Sequence, residues 1–509
     1  MEGERTVAAP AARPLVLLWS AALLVAAAGV ELLYDARPGI GWTIWTIIAA
    51  AGLALFAFYA HGRVRGPRLV PLALASALGV GAAVTANEFL HFLSAVSIAC
   101  LLALAMIISA DETPERVGPR LFLWTPLVAP LRAGLESVRR ASETLGLASR
   151  PRSAPLVRGI ALALPVVILF ALLLSSADPV FAAARESVIA TLTSWVVLPK
   201  LVFFTFLLVL SLGAFGVALA GAPVSVPGAM LPLPRMSVGA TERLVLLGAV
   251  ASLFAIFLVL QVSYLFGNAP AAAGSGVTFA EYARRGFAEL TVAATLCAAL
   301  ILALHLHAAR GARERTITLV ELVLVGELLL LLVSAFRRVL LYEAAYGFTT
   351  ARLYAQGFMV VLGVTLLVLA RELARGLDLG RLTRAGVLAA AGALISLSLW
   401  NHEGWIVRRN VERYEATGKL DAWYLTSQLS ANAVPATVEA LPRLRPELAS
   451  CVRTRLGAWQ AGAPTERPDR ALEWNLGRAR AERALREAGI TALDAAARKA
   501  VYESPVCRS

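Results

Sequence analysis

From residue 14 to residue 400 the chain is a near-continuous succession of apolar runs, each about 20 residues long, with its arginines confined to the gaps between them. That repeat restricts the fold more than any other feature. A helix needs roughly 20 apolar residues to cross about 30 Å of hydrocarbon. In lipid every backbone N–H and C=O must be satisfied internally, and runs of this length achieve that as helices. Only 16% of residues are charged and 58% are hydrophobic, whereas soluble domains carry about 25% charged residues. Mean hydropathy is +0.71. The expected fold class is all-α: a polytopic transmembrane helix bundle of about 11 spans, range 10–12, with a C-terminal soluble helical domain.

The runs fall at 14–34, 40–60, 69–86, 89–109, 157–177, 199–220, 243–267, 288–308, 317–336, 354–371 and 384–400. The third is short and glycine-rich, and Pro179–Leu198 reads either as a surface amphipathic helix or as a re-entrant segment. The expected organisation is a cytoplasmic N-terminus (1–13), four spans (14–109) and a basic cytoplasmic loop with an amphipathic segment (110–156). A core of about seven helices (157–400) and a soluble helical tail (401–509) follow. Within the tail, 410–429 reads as one amphipathic run.

The net charge of +13 is almost entirely arginine, since the only lysines are Lys200, Lys419 and Lys499. The arginines concentrate in alternate gaps, with a dense group between Arg116 and Arg152. Because Lys and Arg accumulate on the cytoplasmic side, the N-terminus is expected there, and an odd number of spans leaves the tail outside. The reading is a multi-pass protein of a bacterial cytoplasmic (inner) membrane whose positive charge orients helices and does not serve nucleic acid. Cys100 and Cys297 fall in spans, whereas Cys451 and Cys507 lie in the tail. In an exported domain the last two are a candidate disulfide; two unrelated thiols are the alternative.

Ionisable residues inside a membrane are costly and therefore functional suspects. Glu321 and Glu327 share the ninth run on different faces, the first near the cytoplasmic interface and read as solvated, the second deeper. Glu327 suits either an interhelical hydrogen bond or a proton or cation site. If that helix continues outward, Arg338, Tyr342 and Tyr346 form an i, i+4, i+8 stripe close to Arg352. Such a stripe serves either as an interfacial belt or as a ligand surface. Asp178 before Pro179 has the chemistry of a helix cap. Glu281 and Arg285 are spaced to pair, and Glu289 enters the eighth run. Glu88 and His91 have a metal half-site spacing without a second copy, so no metal and no cofactor are expected.

Four segments together resemble the bacterial polytopic proteins grouped as domain of unknown function 4173. They are Ser176-Ala-Asp178-Pro179-Val-Phe181, Tyr282-Ala-Arg284-Arg285-Gly286-Phe287-Ala-Glu289-Leu290, the Arg338-to-Arg352 segment, and Asn410-Val-Glu-Arg413-Tyr414 continuing through Gly418, Asp421 and Tyr424. The similarity covers roughly 155–490, with Asn432 standing where an Asp is expected. It implies an integral membrane protein and supplies no catalytic role. Three functions are compatible with the sequence: a scaffold whose outer surface takes a protein partner, a transporter or channel-like protein using Glu327, and a membrane-embedded enzyme acting on a lipid-linked or envelope substrate. The first is the expectation, with the lipid bilayer as the other partner.

Overall fold

The computed structural model describes residues 12–62, 66–108, 119–144, 197–220, 238–266, 287–306, 314–462 and 471–494. Among these, every regular element is helical: α1 (Ala12–Leu33), α2 (Ile40–His61), α3 (Gly66–Val84), α4 (Glu88–Ile107), α5 (Pro119–Thr144), α6 (Val197–Ala220), α7 (Ala240–Phe266) and α8 (Phe287–Leu306). They continue with α9 (Glu314–Tyr346), α10 (Thr350–Arg375), α11 (Leu379–Leu399), α12 (His402–Thr417), α13 (Ala422–Ser427), α14 (Val434–Ala440), α15 (Pro446–Gly462) and α16 (Leu476–Glu487). Nine helices among the described residues are long and apolar enough to cross a membrane. They coincide with nine of the eleven runs. The third run is a shorter apolar helix, Arg68–Val84, and the fifth lies outside the described residues, as does Pro179–Leu198 except for Val197 and Leu198, which begin α6.

Contacts divide the chain into two compact units. The first comprises Met1–Val80, Ala95–Glu112 and Leu121–Val226. Its core joins Leu18 and Ala22 of α1, Phe56 of α2, Met106 and Ile107 of α4, and Leu212 and Phe215 of α6. The rings of Phe56 and Phe215 stack at 5.1 Å, and a Cβ on Gly52 would run into the Phe215 ring. Small residues at such crossings let membrane helices approach closely. Two polar side chains find backbone partners within the bundle: Trp45 Nε1 donates to the Val25 carbonyl at 3.1 Å, and Thr43 Oγ1 to the Gly79 carbonyl at 2.7 Å. Arg68, buried, donates Nε to the Ile108 carbonyl at 3.1 Å, where positive charge suits a helix C-terminus.

Helix α5 occupies Pro119–Thr144 of the stretch read as a basic loop. Thr125, Ala129, Ala133 and Ser137 form its buried stripe, while Leu127, Leu131, Leu135 and Val138 are exposed on its other side. Its backbone lies so close to α6 that a Cβ on Gly213 would overlap the Ala133 carbonyl.

The second unit comprises Gly81–Ser94, Thr113–Arg120 and Pro227–Ser509. Here α9 is the central element. Leu324, Val325, Leu328, Leu331, Ala335 and Val339 are buried against Leu247 of α7, Ala294 and Ile301 of α8, and Met359 and Leu366 of α10. With 33 residues, α9 is roughly 50 Å long and exceeds a hydrocarbon layer of about 30 Å. Its last turns therefore continue past the apolar run.

The tail, α12 to α16, builds two small cores of its own, one around Tyr414, Leu441, Val452 and Leu485 and one around Ile406, Val411, Leu425 and Leu429. The expected single run over 410–429 is two helices. Gly418 takes a left-handed conformation (φ 72°) that ends α12, and Asp421 accepts from Tyr424 N to start α13. Trp423, on the second of these helices, is 44% exposed.

Gly213→Ala is expected to push α5 from α6 and to cost about 1–3 kcal/mol, read as a lowered melting temperature in detergent. Gly326→Ala, where an added Cβ meets no atom within 4 Å, is the neutral control. Equal melting temperatures for the two variants would contradict the close approach.

Candidate functional site at the junction of tail and helix turns

Polar side chains concentrate in the second unit where the tail meets two turns, Thr85–Asn87 between α3 and α4 and Gly347–Thr349 between α9 and α10. Helix ends leave unpaired N–H and C=O groups, and the tail supplies their partners. Asn410 accepts from Phe348 N and donates to the Phe348 carbonyl, both at 2.8 Å. It thereby pairs with that residue as a neighbouring backbone would. Arg413 donates to the carbonyls of Ala344 and Ala345 at the end of α9. Tyr424 Oη accepts from Thr350 N at 2.7 Å, and burial raises its phenol above the ordinary value. Gly347 holds φ at 87° with the Asn410 amide oxygen against its Cα, so a side chain there would be strained and obstructed at once. Thr349 caps α10 by accepting from Arg352 N.

The other turn is held by asparagines. Asn475 accepts from Arg478 N as the N-cap of α16 and donates to the Ala82 and Thr85 carbonyls at 2.9 and 2.6 Å. Asn432 accepts from Ala86 N at 3.2 Å and donates Nδ2 to Thr85 Oγ1 at 2.7 Å. This use of the amide as donor explains why Asn serves where an Asp was expected. Glu403, fully buried, accepts from Asn87 Nδ2 at 2.6 Å and from both the N–H and the hydroxyl of Ser430. His402 is also buried, with Nδ1 3.1 Å from the Leu397 carbonyl and Nε2 3.1 Å from the Tyr354 hydroxyl. The carbonyl requires Nδ1–H, so Nε2 accepts from Tyr354. Burial holds this imidazole below its ordinary value, against the opposing pull of Glu403.

The structure brings some of the sequence candidates together. Tyr342 and Tyr346 touch at 4.8 Å between ring centroids. The Arg352 guanidinium lies 4.0 Å over the Tyr342 ring and donates to the Gly347 carbonyl. Arg338, one turn before Tyr342, is buried. Glu289 is exposed in the first turn of α8. Asp178, Glu281 and Arg285 lie outside the described residues. Glu327 is half-buried on α9, and its Oε2 has no hydrogen-bond partner among the described residues. Cys451 is disulfide-bonded while Cys100 and Cys297 are free; Cys507 lies outside the described residues. His91 donates Nε2–H to the Thr85 carbonyl at 2.8 Å, while Glu88 is exposed.

One expectation is corrected. Glu321 is not solvated: it is fully buried, with Oε1 3.1 Å from Arg243 Nη2 and Oε2 3.6 Å from His305 Nδ1. Arg243 lies 78 residues away, so nothing local to Glu321 reveals its partner. Three further buried carboxylates were not singled out by sequence. Glu372 is held between Arg371 (2.7 Å) and Arg381 (3.0 Å), Glu343 accepts from Gln356 at 2.8 Å, and Glu403 is described above. The available signal for Glu403 was its place directly after Asn401 and His402 at a helix start, a pattern that marks caps but not burial.

Asn475→Asp keeps an N-cap acceptor and removes the two bonds to the α3 end, so it is expected to loosen the tail by about 1–3 kcal/mol, measured as faster limited proteolysis between residues 400 and 480. For His402, whose pKa is depressed in the folded protein, the unfolded form takes up the proton first. Stability is therefore complete above the ordinary value near 6.5 and falls as pH drops below it. Melting scans at pH 8 and about pH 5.5 should show this fall in the wild type and a smaller one in His402→Gln.

A family model described as "Domain of unknown function (DUF4153)" matches residues 72–440, which runs from α3 through α14 and includes Asn410, Tyr424 and Asn432 but not Asn475. Its number differs from that of the group the motifs resemble; both are families of unknown function. No curated protein matches the chain, and no solved structure does. With most of its length covered by that model, the chain belongs to the DUF4153 family.

Proposed function

We propose that this integral membrane protein resides in a bacterial inner membrane with its N-terminus cytoplasmic, and that the tail is a fixed exterior platform for a protein partner. The observation that carries this reading is the use of the family-like polar residues. Asn410, Arg413 and Tyr424 are spent on the α9–α10 turn, and Asn432 and Asn475 on the α3–α4 turn. Such bonds fix a surface in place; they do not activate a nucleophile.

The same bonds support the topology. A tail bonded to both turns needs them on one side of the membrane. Between the turns lie five candidate spans, α4, α6, α7, α8 and α9. An even number is required, and we take as the sixth the apolar run 157–177, which lies outside the described residues. With α1, α2 and the shorter α3 taken as three crossings, the turns and the N-terminus fall on opposite sides, in keeping with a cytoplasmic N-terminus and an exterior tail. An exterior tail is in keeping with a disulfide at Cys451, for which Cys507 is the proposed partner.

Alkaline phosphatase fused after Ser509 is expected to be active, and an expressed but inactive fusion would refute the exterior tail. Transport through Glu327 is the second reading, favoured by its unpartnered oxygen within a span. In a deletion strain complemented by the wild-type gene, Glu327→Gln should restore the phenotype and Asn475→Asp should not. The reverse pattern would favour transport.

A further inference from the structure

Beside the tail is a cleft of roughly 30 Å³, lined in part by Val84, Thr85, Leu399, Trp400, Asn432 and Arg480. A single water needs about 10–15 Å³, so the cleft takes a few oxygen atoms and not a sugar or a peptide side chain. Its base is tight, for a Cβ on Gly81 would sit 2.8 Å from Ser398 Cβ, where α3 meets α11. The amide and hydroxyl groups of its wall are already bonded: Asn432 to Thr85, and Asn401 to the Asn432 carbonyl and Gly404 N.

Arg480 is the exception. It is exposed on α16 and makes no hydrogen bond or ion pair among the described residues. The cleft thus carries an uncompensated cation beside Trp400, which is 45% exposed. Its depth in the molecule is fixed by its walls. Val84 is the last residue of α3, and Leu399 the last of α11, so the opening lies where apolar helices give way to polar tail. In a bilayer that is the headgroup level, where tryptophan collects and where phosphate is the abundant anion. Guanidinium is the side chain best matched to phosphate oxygens.

We propose that this cleft binds the phosphate of an anionic phospholipid headgroup, with Arg480 as the phosphate ligand and Trp400 seated against the glycerol region. The inference needs α3 and α11 to cross a bilayer but does not depend on which side carries the tail. A retained lipid together with an inactive phosphatase fusion would keep it while removing the exterior platform.

The test uses the full chain purified in a mild detergent and incubated with phosphatidylglycerol or phosphatidylcholine, with bound lipid read by native mass spectrometry. Phosphatidylglycerol should be retained over phosphatidylcholine. Arg480→Gln should lower that retention roughly fivefold, and Arg483→Gln, three residues further along the same helix and outside the cleft, should leave it unchanged. Equal retention by the wild type and Arg480→Gln overturns the proposal. So does a stabilisation by inorganic phosphate alone that is lost in Arg480→Gln without any lipid retention, which would assign the cleft to a free anion.

Discussion

The second unit depends on asparagine amides that stand in for missing backbone partners. A membrane helix satisfies its own hydrogen bonds along its length, but at each end several N–H and C=O groups are left over, and leaving them buried and unmet is costly. At the α3–α4 and α9–α10 turns these groups are covered by tail helices and so lose access to bulk water. Asn410, Asn432 and Asn475 meet that demand because a carboxamide presents one donor and one acceptor side by side, matching the pair that a peptide group offers. Asp could supply only the acceptor when ionised, and Ser is too short to reach across. The tail cores around Tyr414 and Ile406 then hold these amides in register.

Elsewhere in the second unit the buried charges follow a different rule. Glu321 with Arg243, Glu372 with Arg371 and Arg381, and Glu343 with Gln356 each place a carboxylate against a donor. Burying a charge is tolerated only with such compensation, and pairs of this kind add little net stability while being expensive to break. They fix which helix faces which neighbour. A polar residue inside a membrane segment therefore does not by itself indicate transport; Glu327 breaks the pattern because no donor faces it among the described residues, whereas Glu321 and Glu343 each keep a donor on one oxygen.

The span pattern was legible because hydropathy over about 20 residues integrates many weak signals, and insertion in lipid leaves the backbone few options. The stripe of Tyr342 and Tyr346 was legible because helical spacing is local. Glu321 was misread because its partner lies on another helix, and burial of a carboxylate has no local signature. The division of 410–429 into two helices was written in Gly418 and Asp421, but the continuing apolar pattern concealed it. Asn432 was read as a missing acid when its role is to donate. That bend apart, the legible part was set by neighbours along the chain, and the rest by residues distant in sequence and brought together by the fold.

The junction also has a consequence for the order of assembly. Its two turns are separated by several membrane crossings, and the tail that joins them is synthesised after both. Bonds to Thr85 and to Phe348 can close together only if every intervening segment has been inserted in the correct direction. A helix left out or reversed would carry one turn to the wrong face and leave the asparagines without partners. Docking of the C-terminal tail, though not the packing of its own cores, therefore requires a correctly threaded chain.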